Sequence, residues 1–279
     1  MSSKACIQYY YHSGFSIEVE KKLLIFDYWQ GQDHDIPEEL KIRPEKLKKY
    51  EQVIIFISHH HPDHFDPEIL TWLIPEKTLY VAGFDVRLPI DGTKLSPGEE
   101  KQLLPEVRVS AFDSTDDGVS FLVKVDGWRF FHAGDLNFWH WREESSFKEI
   151  EEAENAFHKA MAPIIDLKER IDLAFFPVDA RQGTMFEAGA NYFIMSVKPR
   201  YLLPMHFWGR SDLMESFARQ ARTRETQVIP LTRPGDKLIL TEEDGIYEAQ
   251  LIQAPVVRRR TMDEEDPFNM TELPVDLGE

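Results

Sequence analysis

The part of the sequence best suited to chemistry is the segment 58–64, Ser-His-His-His-Pro-Asp-His, which contains the pattern H-x-H-x-D-H. Neutral imidazole and carboxylate groups are the usual protein ligands of Zn, Mn and Fe. His59 and His61 can face one cation, while Asp63 and His64 can face a second cation beside it. We therefore predict a site for one or two divalent metal ions, Zn, Mn or Fe.

The elements around this motif place it at the edge of a sheet. The continuous apolar run from Val53 to Ile57 predicts a strand buried on both faces, and it stops just before the motif. Ligand sites of open α/β sheets lie at such strand ends. Asp66-Pro67 then predicts the N-cap and first turn of a helix that continues to Leu73. The alternative, a surface histidine run without a function, leaves this strand and helix unexplained.

The order of elements predicts a layered α/β protein. Short β-prone runs come first, and strands then alternate with helical patterns near 144–161, 186–197 and 211–221. Asp126-Gly127 predicts a tight hairpin between two strands. This order favours mixed sheets over a regular parallel sheet.

Composition excludes some classes of function. The 279-residue chain has a formal net charge of -17, which disfavours nucleic acid and anionic membrane surfaces as partners. The lone Cys6 fits a reducing compartment, and the start shows neither an export signal nor an apolar run of membrane-spanning length. We expect a cytoplasmic protein.

Two regions differ in composition. Residues 1–253 predict one folded domain, whereas 254–279 combine three arginines, an acidic run at 263–266 and three prolines. This composition predicts a loosely attached acidic C-terminal tail. The alternative is that the tail packs back on the domain through Phe268 and Leu273.

At this point the chain resembles the metallo-β-lactamase superfamily, whose members carry H-x-H-x-D-H after a buried strand. The bridging aspartate of that family matches Asp135 in Phe-His-Ala-Gly-Asp, and its final histidine matches His206 in Leu-Pro-Met-His. The resemblance implies a four-layered αββα sandwich of class α/β (α+β) with two mixed sheets. The segments 11–15 and 24–27 also resemble the branch that includes ascorbate-phosphate lactonase.

One family ligand is missing. A third histidine is expected some twenty residues before Asp135, where this chain reads Asp-Ser-Thr-Asp-Asp-Gly at 113–118. Either Asp116 or Asp117 (less readily Asp113) takes its place, or this is an ordinary polar turn and the first metal position is incomplete. An added carboxylate favours Mn or Fe over Zn, whereas loss of the ligand favours a single metal.

The resemblance also implies an activity. Members of the family use a metal-activated water on a carbonyl or phosphorus, so we expect a hydrolase of a small ester, lactone or phosphoester. Asp63 and Asp135 are the expected catalytic carboxylates. The missing histidine leaves open a non-catalytic metal- or ligand-binding protein. A nuclease or phosphodiesterase of the superfamily is a further alternative, of which the net charge disfavours the nuclease. A homo-oligomer is compatible with the sequence.

Candidate substrate contacts flank the predicted ligands. Trp139 and Trp141 follow Asp135 closely and could wall a pocket, or they could pack the next helix onto the domain. Arg181 and Arg210 follow strand ends and could bind a phosphate or carboxylate, or they could be ordinary surface arginines.

Overall fold

Two sheets packed face to face carry the structure, a computed structural model that describes residues 3–31 and 36–255. Within these ranges the strands are β1 (Ser3–Tyr11), β2 (Gly14–Val19), β3 (Lys22–Phe26), β4 (Gln52–Ile57), β5 (Thr78–Gly83), β6 (Thr93–Leu95), β7 (Glu100–Leu104), β8 (Val107–Phe112), β9 (Ser120–Val125), β10 (Trp128–His132), β11 (Leu173–Pro177), β12 (Tyr201–Met205), β13 (Gln227–Val228), β14 (Lys237–Glu243) and β15 (Ile246–Ile252). The first sheet has the order β15-β14-β1-β2-β3-β4-β5-β6, and the second has the order β13-β12-β11-β10-β9-β8-β7.

Helices cover the outer faces of both sheets. They are α1 (Pro44–Leu47), α2 (Phe147–Ile165), α3 (Ala188–Val197) and α4 (Ser211–Ala221), with 3-10 helices at Pro67–Trp72 and Ala180–Gln182. Phe157 of α2, Phe193 of α3 and Met214 of α4 belong to the core that includes the second sheet. Leu47 of α1 and Trp72 pack with the outer face of the first sheet. The predicted four-layered αββα sandwich with two mixed sheets is confirmed.

The strand β4 shows why the sequence folds in this way. Ile54 and Phe56 lie in the core between the sheets, while Val53 and Ile55 lie in the outer core under the Pro67–Trp72 helix. Successive side chains of a strand point to opposite faces, so a fully apolar run requires cover on both sides. The run that predicted a doubly buried strand therefore forms the centre of the first sheet.

Parallel pairing brings several strand ends to one edge of the sandwich. β3 pairs in parallel with β4, with Phe26 opposite Phe56. In the second sheet β11 pairs in parallel with β12, with Pro177 opposite Met205, and β10 is parallel to β11. The residues that follow these strands share the carboxyl edge, where ligand sites of α/β sheets lie.

Local predictions are confirmed with adjustments. The Asp126-Gly127 hairpin joins β9 to β10. Asp66 caps the next helix by accepting a hydrogen bond from the Glu68 amide at 2.9 Å, but this helix is a short 3-10 helix. The predicted helix at 144–161 begins at Phe147, behind a Ser146/Glu149 capping box, and continues to Ile165.

The division of the chain at residue 253 stays a prediction, because residues 256–279 lie outside the described residues. In the part that the structure describes, no helix combines the length and apolar character needed to cross a bilayer.

Candidate metal centre

A buried carboxylate, Asp135, lies at the centre of three histidines from two other segments. Its Oδ1 lies 3.1 Å from Nε2 of His64 and 3.5 Å from Nε2 of His206, and its Oδ2 lies 3.4 Å from Nε2 of His59. All four side chains are almost completely buried. The structure therefore brings together residues that are 147 positions apart in the sequence, His59 and His206 (206 − 59).

A hydrogen bond on the opposite ring nitrogen orients two of these imidazoles. Nδ1 of His64 lies 2.7 Å from Oδ2 of Asp27, and Nδ1 of His206 lies 3.0 Å from Oδ2 of Asp179. In the neutral ring, each carboxylate favours the tautomer in which Nδ1 carries the proton and Nε2 keeps its lone pair. Nε2 of each ring consequently faces Asp135.

The third imidazole is oriented through a hydroxyl. Oγ of Ser58 lies 2.9 Å from Nδ1 of His59 and donates to Oδ2 of Asp27 at 2.6 Å. Oδ1 of Asp27 also accepts the Ser58 amide at 2.7 Å. Asp27 thus positions two histidines of the motif at once, one directly and one through Ser58.

The sheet topology supplies these orienting carboxylates. Asp27 directly follows β3, the parallel neighbour of the strand that leads to His59. Asp179 follows β11, the parallel neighbour of the strand that leads to His206. Each sheet therefore places an aspartate from one strand end beside a histidine from the next strand end. Neither aspartate is among the site residues predicted from the sequence.

The inward-facing atoms fit a cation. Nε2 of His59, Nε2 of His64 and Oδ1 of Asp135 are buried and make no hydrogen bond in the described structure. Burying polar atoms without partners is costly, so such atoms are rare in folded proteins. Imidazole nitrogens with an ionised carboxylate form a ligand set for Zn, Mn or Fe. A bound cation would satisfy all of these atoms.

The pKa shifts of His59 and Asp135 favour the forms that bind a cation, whereas the shift of His64 favours a protonated ring whose proton a cation would displace. Burial lowers the pKa of His59 to about 4, so its ring is neutral at pH 7. Burial opposes ionisation of Asp135, but His64 and His206 hold the pKa of that carboxyl well below its usual range. Burial also disfavours the charged form of His64, yet Asp135 and Asp27 raise its pKa well above the usual value.

A second group of ligand atoms lies beside the first. Atoms of His12, Asp63, His64 and His206 lie within 4.8 Å of one another. Oδ2 of Asp63 is 3.3 Å from Nε2 of His12 and 3.9 Å from Nε2 of His206. Both ring nitrogens of His12 are buried without a hydrogen bond, and burial lowers the pKa of His12 to about 3.

His12 also belongs to this group, although it is not among the ligands predicted from the sequence. It lies in the turn between β1 and β2, with a φ of 55°. Left-handed backbone is uncommon for non-glycine residues and often marks functional sites. The signal available in the sequence was its position in the Tyr-His-Ser-Gly-Phe segment, but one histidine carries no spacing pattern.

The loop without the family's third histidine does approach the centre. Asp116, His61 and Asp135 offer ligand atoms within 4.8 Å of one another, whereas Asp117 groups with His61 and the exposed His60. Oδ2 of Asp116 lies 3.7 Å from Nδ1 of His61, and Oδ2 of Asp117 lies 3.4 Å from its Nε2. Burial, followed by the charge of Asp135, raises the pKa of Asp116. Asp116 is therefore the aspartate that shares a group with the central carboxylate.

Two glycines allow the loops to pack this closely. A Cβ on Gly118, which has a φ of 70°, would lie 2.1 Å from the carbonyl oxygen of Ser58. A Cβ on Gly134, with a φ of 54°, would lie 2.8 Å from Cβ of Ser58. Gly134 directly precedes Asp135, so the centre depends on backbone approaches that only glycine permits.

A cavity of about 690 Å³ opens onto this group. It is lined by Trp29, His61, Pro62, Asp63, Thr115, Asp116, Asp135, Trp139, Trp141, Arg181, His206 and Trp208. Nε1 of Trp139 donates a hydrogen bond to the carbonyl oxygen of Asp135 at 2.8 Å, so this indole is fixed directly beside the central carboxylate residue.

The two predicted arginines have different positions. Arg181 lines the cavity, but its Nε lies 2.9 Å from Oδ2 of Asp179, and its guanidinium lies 4.3 Å from the ring centroid of Trp208. Arg210 is absent from the cavity lining and pairs with Asp212 at 3.1 Å. The structure thus brings one of them to the cavity and leaves the other at the surface.

Comparisons with known proteins agree with this geometry. Residues 6–154 match the family described as Beta-lactamase superfamily domain. A UPF0173 metal-dependent hydrolase of Pyrococcus abyssi is 27% identical over 211 residues, which cover 70% of this chain and 81% of that protein. Its counterpart in Pyrococcus furiosus is 26% identical over 212 residues, with the same coverage of 70% and 81%.

Among solved structures, Igni18, a metallo hydrolase from the archaeon Ignicoccus hospitalis, is similar with a TM-score of 0.62. It covers 85% of this chain and 98% of its own, at 17% identity. At this identity the likeness supports the shared fold.

Proposed function

Because this chain belongs to the beta-lactamase superfamily and is a metal-dependent hydrolase, we propose that it cleaves small esters, lactones or phosphoesters with an activated water. The proposal rests on the convergence of three histidine Nε2 atoms on the buried Asp135 carboxylate. Nε2 of His59, Nε2 of His64 and Oδ1 of Asp135 have no hydrogen-bond partner in the described structure. Lactones belong to the substrate class because the sequence resembles the ascorbate-phosphate lactonase branch.

The proposed ligand sets combine overlapping groups of ligand atoms, three of which contain residues of the H-x-H-x-D-H motif with Asp135 or His206. His59, His61 and Asp116 would hold one divalent ion, and Asp135 would be shared with a second position. Asp63, His64 and His206 would complete that second position, with His12 beside it. When bound, such ions lower the pKa of a water ligand and stabilise negative charge that develops on the substrate.

The residues of the cavity favour water over a side-chain nucleophile. Among the described lining residues there is neither a serine nor a cysteine. The one hydroxyl, that of Thr115, donates to the carbonyl oxygen of Asn137 at 2.5 Å. Asp63 and Asp135 are ionised, since the histidines around them lower both pKa values against the effect of burial. They are the proposed catalytic carboxylates.

The partner that we propose is a small molecule. A cavity of about 690 Å³ has the size of typical small-ligand pockets. The net charge of -17 disfavours a nucleic acid, whose binding depends on phosphate contacts from basic residues.

The test combines metal analysis with a substrate panel. The purified protein is loaded separately with Zn, Mn and Fe, and its turnover of esters, lactones and phosphodiesters is measured beside that of Asp135→Asn. We expect bound metal and turnover on one class, with a loss of at least about 100-fold in the variant. Bound metal without turnover on any class would instead support a non-catalytic metal-binding protein.

A further inference from the structure

Tryptophan is concentrated at the cavity beside the candidate metal centre. The chain has six tryptophans, and four of them, Trp29, Trp139, Trp141 and Trp208, line this cavity. The other two, Trp72 and Trp128, are buried in the cores under and between the sheets. The distribution separates structural tryptophans from those that face the site.

The four cavity tryptophans form two pairs. The rings of Trp139 and Trp141 are nearly parallel, 19° apart with centroids at 5.9 Å. Those of Trp29 and Trp208 meet edge to face, 72° apart with centroids at 5.9 Å. Within the described residues neither pair makes a direct ring contact with the other, and both pairs line the same cavity.

One tryptophan of each pair contacts the ring of His206. The ring centroid of His206 lies 5.6 Å from that of Trp139 and 6.0 Å from that of Trp208. The ring of His206 is therefore flanked by one indole ring from each pair. A substrate group bound between these indole rings would lie next to the candidate metal ligands.

Packing of the fold does not account for these rings. None of the four belongs to either hydrophobic core, and Trp141 is 41% exposed. Large exposed aromatic surface is uncommon on soluble proteins and marks binding sites when it is clustered. Trp141 therefore offers free ring surface at the cavity mouth.

Arg181, the positively charged arginine of the cavity lining, already forms an ion pair. Arg181 binds Asp179 through Nε and Nη2 and covers the ring of Trp208. The remaining ionic groups of the cavity, Asp63, Asp116 and Asp135, lie at the metal-facing end. Recognition away from that end therefore depends on aromatic contact more than on charge.

We propose that the substrates of this enzyme carry an aromatic ring on the side away from the bond that is cleaved, and that the tryptophan walls bind this ring. The inference rests on the proposed hydrolase function and names its substrate class. Aromatic rings prefer offset or edge-to-face contact with indole, which a saturated ring of similar size does not provide.

The experiment measures binding separately from turnover. Phenylacetate and cyclohexylacetate, which differ only in the aromaticity of the ring, are titrated into the full-length metal-loaded protein by calorimetry. We expect phenylacetate to bind roughly five-fold more tightly, as aromatic pairing of this kind gives. Trp141→Ala should remove the preference, and Trp141→Phe should retain it. Phe147→Ala, which alters a 91% exposed aromatic residue outside the cavity lining, is the matched control.

Equal binding of the two acids, or a preference that survives Trp141→Ala, would overturn the inference. The same holds if neither acid binds to protein with its metal in place. Failure of the hydrolase function has a different signature, because phenylacetate would then bind preferentially while no ester, lactone or phosphoester turned over.

Discussion

Oδ2 of Asp27 lies 2.7 Å from Nδ1 of His64, and both side chains are completely buried. The same oxygen accepts the Ser58 hydroxyl that in turn contacts His59. One carboxylate at the end of β3 thereby aims two imidazoles of the histidine motif at Asp135. In the second sheet, Asp179 holds His206 in the same manner.

Loss of the Asp27 carboxylate should weaken the metal site without removing a ligand. Asp27→Asn leaves an amide of similar shape that cannot hold the charge beside His64, so we expect metal affinity to fall by about 10- to 100-fold. Calorimetric metal titration measures the change. Asp85→Asn is the matched control, because Asp85 holds His60 at 2.8 Å outside the central group. An equal loss in both variants would contradict the assignment.

The two adjacent aspartates of the 113–118 loop should behave differently. Asp116 shares a ligand group with His61 and Asp135, whereas the group of Asp117 contains His61 and the exposed His60 in place of Asp135. We expect Asp116→Asn to reduce the bound metal by one ion or to weaken one position by at least about tenfold. Asp117→Asn should change metal content little. Elemental analysis after dialysis at a fixed free-metal concentration distinguishes the variants, and a larger effect at Asp117 would reverse our assignment.

Metal binding should strengthen as pH rises through neutrality. Asp135 and Asp27 raise the pKa of His64 against the effect of burial, so its ring carries a proton at pH 7 that a cation must displace. His59, with a pKa of about 4, is already neutral and adds no dependence in this range. Apparent affinity should rise by up to about tenfold per pH unit below the pKa of His64. Calorimetry in buffers of different ionisation enthalpy should detect about one released proton. Affinity that is flat from pH 6 to 8, with no proton release, would refute this.

Gly118 should be required for folding of the centre. An alanine Cβ there would lie 2.1 Å from the carbonyl oxygen of Ser58 and would strain a backbone with a φ of 70°. We expect Gly118→Ala to lower the free energy of unfolding by more than about 2 kcal/mol, measured by urea denaturation. Gly98→Ala isolates the backbone effect, since Gly98 has a φ of 86° and open space around it. That variant should cost only about 1 kcal/mol. Equal costs would show that the approach to Ser58 is unimportant.

The sequence predicted the fold class and the ligand candidates because both leave local patterns. Side chains of the apolar run 53–57 pack alternately into the two hydrophobic cores. The H-x-H-x-D-H motif has a fixed spacing, so a single loop can present its side chains to a metal ion. Asp135 and His206 were found through resemblance to a family, since a single aspartate or histidine after a strand carries no pattern of its own. The structure brings these residues together, while their roles as ligands stay a proposal.

The residues that orient the ligands were missed for a physical reason. Asp27 and Asp179 act because β3 lies beside β4 and β11 lies beside β12, and strand neighbours are a property of the tertiary fold. His12 enters the site only because the β1–β2 turn reaches the same edge. A search for aspartates directly after buried strands would have found Asp27, but it could not have shown which histidine Asp27 contacts.

Crystallography of the metal-loaded protein, with anomalous data collected at the absorption edge of the metal, tests the central claim most directly. We predict one or two peaks about 2.0–2.2 Å from Nε2 of His59, His64 and His206 and from the Asp135 carboxylate. A protein that binds no metal, or a peak confined to the exposed His60 and Asp117, would contradict the account.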